Sequence, residues 1–317
     1  MTSPPDYGAV EAAGRRIRPF IHRTPVLQAG SLNQATGGHL FFKCENLQRS
    51  GSFKARGAFN AVLSAPDGTS AFVTHSSGNH AAALALAART RGLAAHVVMP
   101  RTAAASKMTA ARAFGARIIE CEPTLAARES EAARIVSETG ASFVPPFDSA
   151  EVVAGQGTCA IELVEEVGDG LDLLLVPVGG GGLLAGTLIA MATVSPRTKV
   201  IGVEPAAADD AARGWRSGQR QPQVLPVSTI ADGATTSMSE MTFSVMSWLV
   251  HDIVCVSEES IVRAMRLIWE RLKIVVEPTC ALPLAAVLEG AVDVRERNVG
   301  MILTGGNVDL DRLPWRD

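Results

Sequence analysis

From about residue 70 onward the chain alternates short β-rich runs with alanine-rich stretches of helical period, and few folds accept that rhythm. Residues 71–74 lead to a helical stretch at 79–89, 95–98 to 103–114, 116–119 to 125–138, and 142–144 to 152–167. The cycle resumes with 173–176, 183–192 and 199–203. Parallel strands need a long crossover between them, and a helix is its usual form. Strands alternating with helices of about 10–15 residues therefore predict an α/β fold, with parallel sheets covered by helices on both faces. With 317 residues and 47% hydrophobic content the chain can bury a large core in more than one lobe. No internal repeat is present. Residues 217–232 carry Pro222, Pro226 and little apolar period, which predicts a long loop of the kind that often carries function.

A net charge of −3 and the absence of any Lys/Arg-rich run argue against nucleic acid or an anionic membrane as partner. There is no apolar run of about 18 residues to span a bilayer. Residues 1–19 lack the apolar segment of a secretion signal. The cysteines, Cys44, Cys121, Cys159, Cys255 and Cys280, are scattered with no CxxC pair. That spacing gives neither a disulfide framework nor a thiolate metal cluster, and a reducing cytoplasm is the expected compartment.

Four segments carry chemistry. In the run 50–58, SGSFKARGA, small residues lead into Lys54 just before a helical segment at 55–64. A lysine held at a helix mouth by a tight loop can be desolvated, and a neutral amine attacks carbonyls to form a Schiff base. The plainer reading is a solvated lysine at a helix start. Next, 176–186, VPVGGGGLLAG, runs from strand to helix. Gly179, Gly180, Gly181 and Gly182 let backbone N–H groups converge, and the helix start adds partial positive charge, which together make an anion site. Gly180, Gly182 and Ala185 also fit G-x-G-x-x-A, with Glu204 about 20 residues on, the spacing of a dinucleotide site. That rival leaves the other three segments unexplained.

The third segment, 75–81, HSSGNHA, sets Ser76, Ser77, Asn79 and His80 between a strand and a helix start. Hydroxyls, an amide and backbone N–H groups there suit a carboxylate. Ordinary turn and capping chemistry is the alternative. The fourth, 299–307, VGMILTGGN, reads as a buried strand with Thr304 at its carboxyl end, where open parallel sheets bind ligands. A threonine hydroxyl can donate a hydrogen bond to an aromatic nitrogen but cannot protonate it.

With AGQGT at 154–158, IADG at 230–233, EPT at 277–279 and LTGGNVDL at 303–310, these segments occur in family order over nearly the whole chain. The chain resembles the fold-type II pyridoxal-phosphate enzymes, in the serine/threonine dehydratase and serine racemase branch. The resemblance implies Lys54 as the Schiff-base lysine, and Gly179–Gly182 with Leu183 around the cofactor phosphate. It also implies Phe53 against the ring, Asn79 on the pyridine 3-oxygen and Thr304 beside the ring nitrogen. A divalent cation site, Mg²⁺ or Ca²⁺, would be built from Glu204, the carbonyl of Ala208 and Asp210. Oxygen ligands of this kind suit a hard cation.

In the mechanism so implied, Ser76, Ser77, Asn79 and His80 dock the carboxylate of a small amino-acid substrate. Lys54 removes the Cα proton, a β-hydroxyl leaves as water, and a 2-oxo acid and ammonia follow. Arg128 aligns with an arginine that can approach the carboxylate on closure. Ser77 stands where racemases of the branch carry a second acid–base serine. Phe147 stands where dehydratases carry phenylalanine and animal-type racemases asparagine. Phe147 is given the greater weight, since elimination needs only one base, and dual activity fits both positions. A β-replacement enzyme and a nucleotide-binding module remain as alternatives. The resemblance further implies a homodimer, a large lobe of residues 1–66 and 149–317, and a smaller mobile lobe of 67–148. With the TGGN motif so near Asp317, no C-terminal regulatory domain is expected. The 3-hydroxy amino acid itself, whether serine, threonine, 3-hydroxyaspartate or phenylserine, stays open.

Overall fold

Two separate sheets account for the alternation. A computed structural model of the chain describes residues 3–76, 78–103, 105–168 and 170–315. In chain order the strands are β1 (Val26–Leu27), β2 (His39–Cys44), β3 (Ala71–His75), β4 (Ala94–Pro100), β5 (Ala116–Cys121), β6 (Ser142–Phe143), β7 (Leu173–Pro177), β8 (Lys199–Pro205), β9 (Asp252–Val256) and β10 (Asn298–Leu303). The helices are α1 (Tyr7–Ile17), α2 (Gly30–Thr36), α3 (Lys54–Ser64), α4 (Asn79–Thr90), α5 (Ala105–Ala113), α6 (Leu125–Thr139), α7 (Ala150–Val167), α8 (Gly182–Val194), α9 (Asp210–Ser217), α10 (Glu240–Leu249), α11 (Glu258–Leu272) and α12 (Leu282–Leu288). None of the described helices is long and apolar enough to cross a membrane.

The larger sheet has the order β1-β2-β10-β7-β8-β9, and the smaller one β5-β4-β3-β6. Every pairing is parallel except β1 with β2. Each sheet has one place where the chain reverses its direction of travel. In the larger sheet β8 and β9 lie to one side of β7 and β10 to the other; in the smaller, β4 and β5 lie to one side of β3 and β6 to the other. Such reversals leave a crevice beyond the carboxyl ends of the strands, where ligands bind. The segments that follow β3, β7 and β10 are three of the four singled out in the sequence.

The core of the larger sheet lies on both faces. Leu173, Leu175, Val299, Met301 and Leu303 meet α11 and α12 on one side, while Leu174, Val176 and Ile302 meet α7 and α8 on the other. Helix α8 is apolar all round and buried from Gly182 to Met191, as a helix enclosed by its neighbours must be. Each such leucine or isoleucine contributes about 1.5–3 kcal/mol on burial. Helix α7 is pressed between α3 and α8. A Cβ on Gly155 would stand 2.6 Å from the Arg56 carbonyl oxygen, and one on Gly157 2.5 Å from that of Gly186. The AGQGT segment thus reads structurally as a close crossing of three helices, and any larger side chain there would force them apart.

Helix α7 starts at Ala150, two residues ahead of the expectation, because Ser149 Oγ accepts from the Val152 N–H at 3.3 Å and caps it. Helix α5 runs from Ala105 to Ala113, inside the 103–114 expected.

Candidate active site

Lys54 is the first residue of α3, and no side chain caps that helix start. Backbone bonds hold it instead. Phe53 N–H donates to the Thr304 carbonyl at 3.0 Å, Gly306 N–H to Gly51 at 2.9 Å, and Ser52 bridges Gly305. Gly51 has φ of 74°, a left-handed value open to glycine at little cost, and a Cβ there would meet Asn307 Oδ1. The loop before Lys54 and the TGGN segment after β10 are therefore one structure. The Lys54 ammonium donates to the Pro146 carbonyl at 2.8 Å and lies 5.0 Å from the centre of the Phe53 ring. Burial pushes its pKa down to about 8, with the Glu277 carboxylate pulling the other way.

The glycine loop joins β7 to α8. Each of its four glycines faces a close neighbour in the direction a Cβ would take. Gly179 faces the Gly233 carbonyl (2.8 Å) and Gly180 the Phe147 ring; Gly181 faces Met238 Cε, and Gly182 Phe147 Cβ at 2.9 Å. Thr242 Oγ1 donates to the Gly180 carbonyl at 3.0 Å, fixing the loop from behind. The Leu183 side chain is core, so that residue has only its backbone N–H to offer an anion. The segment 146–147 thus touches both Lys54 and the glycine loop.

At the head of α4, Asn79 Nδ2 donates to Glu277 Oε1 at 2.8 Å and to Oε2 at 3.2 Å, and its Oδ1 accepts from Asn307 Nδ2 at 2.9 Å. Ser76 Oγ accepts from Gly78 N–H at 3.3 Å. Ser77 lies outside the described residues. His80 is buried, with Nε2 at 3.1 Å from the Val144 carbonyl. Desolvation and the Lys54 charge push its pKa down to about 3, so it is neutral and offers a carboxylate no charge. Arg128, half-buried in the first turn of α6, lies close enough to His75 to lower that imidazole's pKa, after the larger effect of burial. Its Nε has no hydrogen-bond partner among the described residues. Thr304 Oγ1 and Ser52 Oγ are likewise buried without a partner. Such groups are rare in folded proteins and point to an absent acceptor or donor.

Glu277 was not singled out as a site residue from sequence. It is the only charged residue between positions 274 and 288, and a lone carboxylate in so apolar a run is the signal that marks it.

Comparison with known proteins meets this geometry. Residues 17–305 match the family model for "Pyridoxal-phosphate dependent enzyme". The chain belongs to that family. It is 47% identical over 313 residues to beta-hydroxyaspartate dehydratase of Paracoccus denitrificans (strain Pd 1222), covering 98% of this chain and 99% of that one. The crystal structure of serine racemase from Dictyostelium discoideum matches with a TM-score of 0.92 and 41% identity, over 96% of this chain and 99% of that one. The crystal structure of a T.th. threonine deaminase matches with a TM-score of 0.92 and 44% identity, again over 96% and 99%. The dinucleotide alternative falls with this result. Glu204, the residue it needed on a ribose, spends its carboxylate on the N–H groups of Ala211 (3.2 Å) and Ala212 (2.8 Å) at the start of α9.

The residues fit pyridoxal phosphate. A desolvated amine, a glycine loop at a helix start and an unpartnered threonine hydroxyl are the three groups its aldehyde, phosphate and ring nitrogen need. A hard cation is a separate question. Among the described residues no three His, Cys, Asp or Glu side chains converge to hold a metal. Glu204, Asp210 and Ala208 are all buried, and Asp210 lies close enough to Glu204 to act on its carboxylate. Burial, and secondarily Asp210, pushes Glu204 up to about pKa 8; burial pushes Asp210 up to about 6. Oxygen donors of this chemical type are those that Mg²⁺ or Ca²⁺ takes.

Proposed function

We propose that the chain is a pyridoxal-phosphate-dependent ammonia-lyase that converts a 3-hydroxy amino acid to a 2-oxo acid and ammonia. The observation that carries this reading is the desolvated Lys54 amine sharing one segment, 146–147, with the glycine loop. When bound, pyridoxal phosphate draws electron density from the substrate Cα. Lys54, with its pKa near 8, is tuned to take the Cα proton near neutral pH. The loop 76–80 and the head of α4 receive the substrate carboxylate through N–H groups and hydroxyls, with Arg128 approaching from α6. Asn79, held by Glu277 and Asn307, would meet the phenolic oxygen of the cofactor, and Phe53 would lie against its ring. Thr304 would donate a hydrogen bond to the ring nitrogen and supply no proton, which would favour prompt loss of a β-hydroxyl. Phe147 walls the side-chain pocket against the glycine loop.

The strongest candidate substrate is 3-hydroxyaspartate, supported by 47% identity to a dehydratase named for it. Racemisation of serine is the second reading, supported by 41% identity to a serine racemase; Ser77 would supply its second acid–base group. The site of Glu204, Ala208 and Asp210 would hold Mg²⁺ or Ca²⁺ in a structural or activating role. Residues 1–66 with 149–317 and residues 67–148 are assigned as the large and the small mobile lobe, and the working unit as a homodimer. Five free cysteines suit a reducing cytoplasm. The test is to supply the purified protein with pyridoxal phosphate and a panel of L- and D-3-hydroxy amino acids, reading oxo acid and D-serine with and without Mg²⁺. Oxo acid that vanishes in Lys54→Ala supports the lyase. D-serine without oxo acid moves the assignment to racemase. A protein that stays colourless with cofactor refutes both.

A further inference from the structure

We propose that Arg56 is a positioning residue for Lys54: a buried cluster of four charges anchors the first turn of α3 from behind and fixes the lysine relative to the glycine loop. The inference rests on the role proposed above for Lys54. Arg56, Lys43 and Glu45 are fully buried and Glu162 partly so. Arg56 uses all five of its N–H donors. Nε and Nη2 form a fork on Glu45, at 2.7 Å each. Nη1 and Nη2 form a second fork on Glu162, at 2.8 and 2.7 Å. The remaining Nη1 hydrogen goes to Thr158 Oγ1 at 3.0 Å. Lys43 Nζ donates to Glu162 at 2.7 Å and to the Thr24 carbonyl at 2.7 Å, and Thr24 Oγ1 donates to Glu45 at 2.5 Å. Two cations face two carboxylates, so the cluster is neutral.

Its geometry explains why it sits there. Residues two apart on a helix point to nearly opposite faces. Lys54 therefore looks into the cleft while Arg56 looks into the protein, and fixing one fixes the other. The anchors lie on β2, on the turn after it, and on α7. The same ladder continues with Gly57 N–H to Gln156 Oε1 at 3.2 Å and Asn60 Nδ2 to the Glu151 carbonyl at 2.7 Å. Helix α7 in turn touches α8, whose head is the glycine loop, through Gly157 and Gly186. With no side-chain cap on α3, this cluster adds a side-chain anchor to the backbone bonds that hold its first turn. A lysine at position 56 would keep the charge but lose the planar double fork.

The experiment mixes the full chain, stripped of cofactor, with pyridoxal phosphate in a stopped-flow instrument and follows the visible band of the lysine-linked cofactor. Four proteins are compared: wild type, Arg56→Lys, Thr158→Val, which removes one of the five acceptors, and Val62→Ala, which loosens α3 without touching the cluster. Melting temperature is measured for each. A misplacement of an ångström costs roughly 100-fold in rate, so Arg56→Lys should slow band formation by about 10–100-fold and Thr158→Val by less. Val62→Ala should keep the wild-type rate at an equal loss of melting temperature. Band formation at the wild-type rate in Arg56→Lys, or equal slowing in Val62→Ala, overturns the proposal. If Arg56→Lys does not fold, Thr158→Val against Val62→Ala decides it. A parallel readout needs no cofactor: peptide-resolved labelling of Lys54 by trinitrobenzenesulfonate across pH. In Arg56→Lys or Thr158→Val a freed amine should label with a midpoint shifted upward, and an unshifted midpoint also overturns the proposal. A wild type that labels at Lys54 but gains no band refutes the proposed function and leaves the labelling comparison to judge Arg56.

Discussion

One methyl group at Gly180 tests how closely the glycine loop is packed. The Cβ of Gly180→Ala would lie 2.5 Å from Phe147 Cγ and Cε1, and closer still to Cδ1 between them. Carbon atoms rest at about 3.5–4.0 Å, so the ring must retreat by roughly an ångström. The segment that carries it is tethered, because the Pro146 carbonyl before it accepts from Lys54. Overpacking of this kind costs about 1–3 kcal/mol. The assay is urea unfolding of the cofactor-free chain for wild type, Gly180→Ala, Phe147→Ala and the double variant. Removing the ring should abolish the clash, so the double variant should be more stable than the two single losses added together imply, by about 1–3 kcal/mol of coupling. Strict additivity would refute the claim that Phe147 dictates glycine at position 180.

Three further outcomes follow from the site. Because the Lys54 pKa is lowered to about 8, its rate of capture by pyridoxal phosphate should rise about tenfold per unit of pH below that value and level off above it; at pH 7 about a tenth of the amines are neutral, against fewer than about one in a thousand for an ordinary lysine. Continued steep rise beyond pH 10 would show that the amine is not desolvated. Thr304→Val, which replaces an unpartnered hydroxyl, should leave unfolding of the cofactor-free chain within about 1 kcal/mol of wild type while shifting the visible spectrum of the loaded protein; an unchanged spectrum places the ring nitrogen elsewhere. Saturating Mg²⁺ should raise the melting temperature by mass action, and Glu204→Gln should remove that rise; equal rises in both proteins would refute the site.

The alternation of strand and helix was legible because each element is buried in the manner its pattern states. Residues 71–74 and Leu173–Pro177 are mostly apolar runs enclosed on both faces. The edge pieces were harder. β9, Asp252–Val256, is only partly buried, and β1 has two residues, too short to show a period. Of the site, Lys54 and the glycine loop were legible because glycine density and an isolated lysine are local signals. The neutrality of His80 was not, since it depends on burial and on the charge of Lys54, which no local spacing encodes. Arg56 likewise read as part of a motif, and its partners Glu45, Glu162 and Thr158 are distant from it in sequence.

The close helix crossing at α7 has a consequence for how such a molecule can fail. Because Gly155 and Gly157 let α3 and α8 lean on the same helix, the lysine and the glycine loop share one foundation in the larger sheet. Ser76 and Arg128 rest on the smaller sheet, which is stitched to the larger at the site by hydrogen bonds such as Asn79 to Glu277. Wear therefore falls unevenly. A chain weakened in α5 or α6 would lose its grip on the amino acid first and still be yellow, whereas one weakened in α7 would lose its colour.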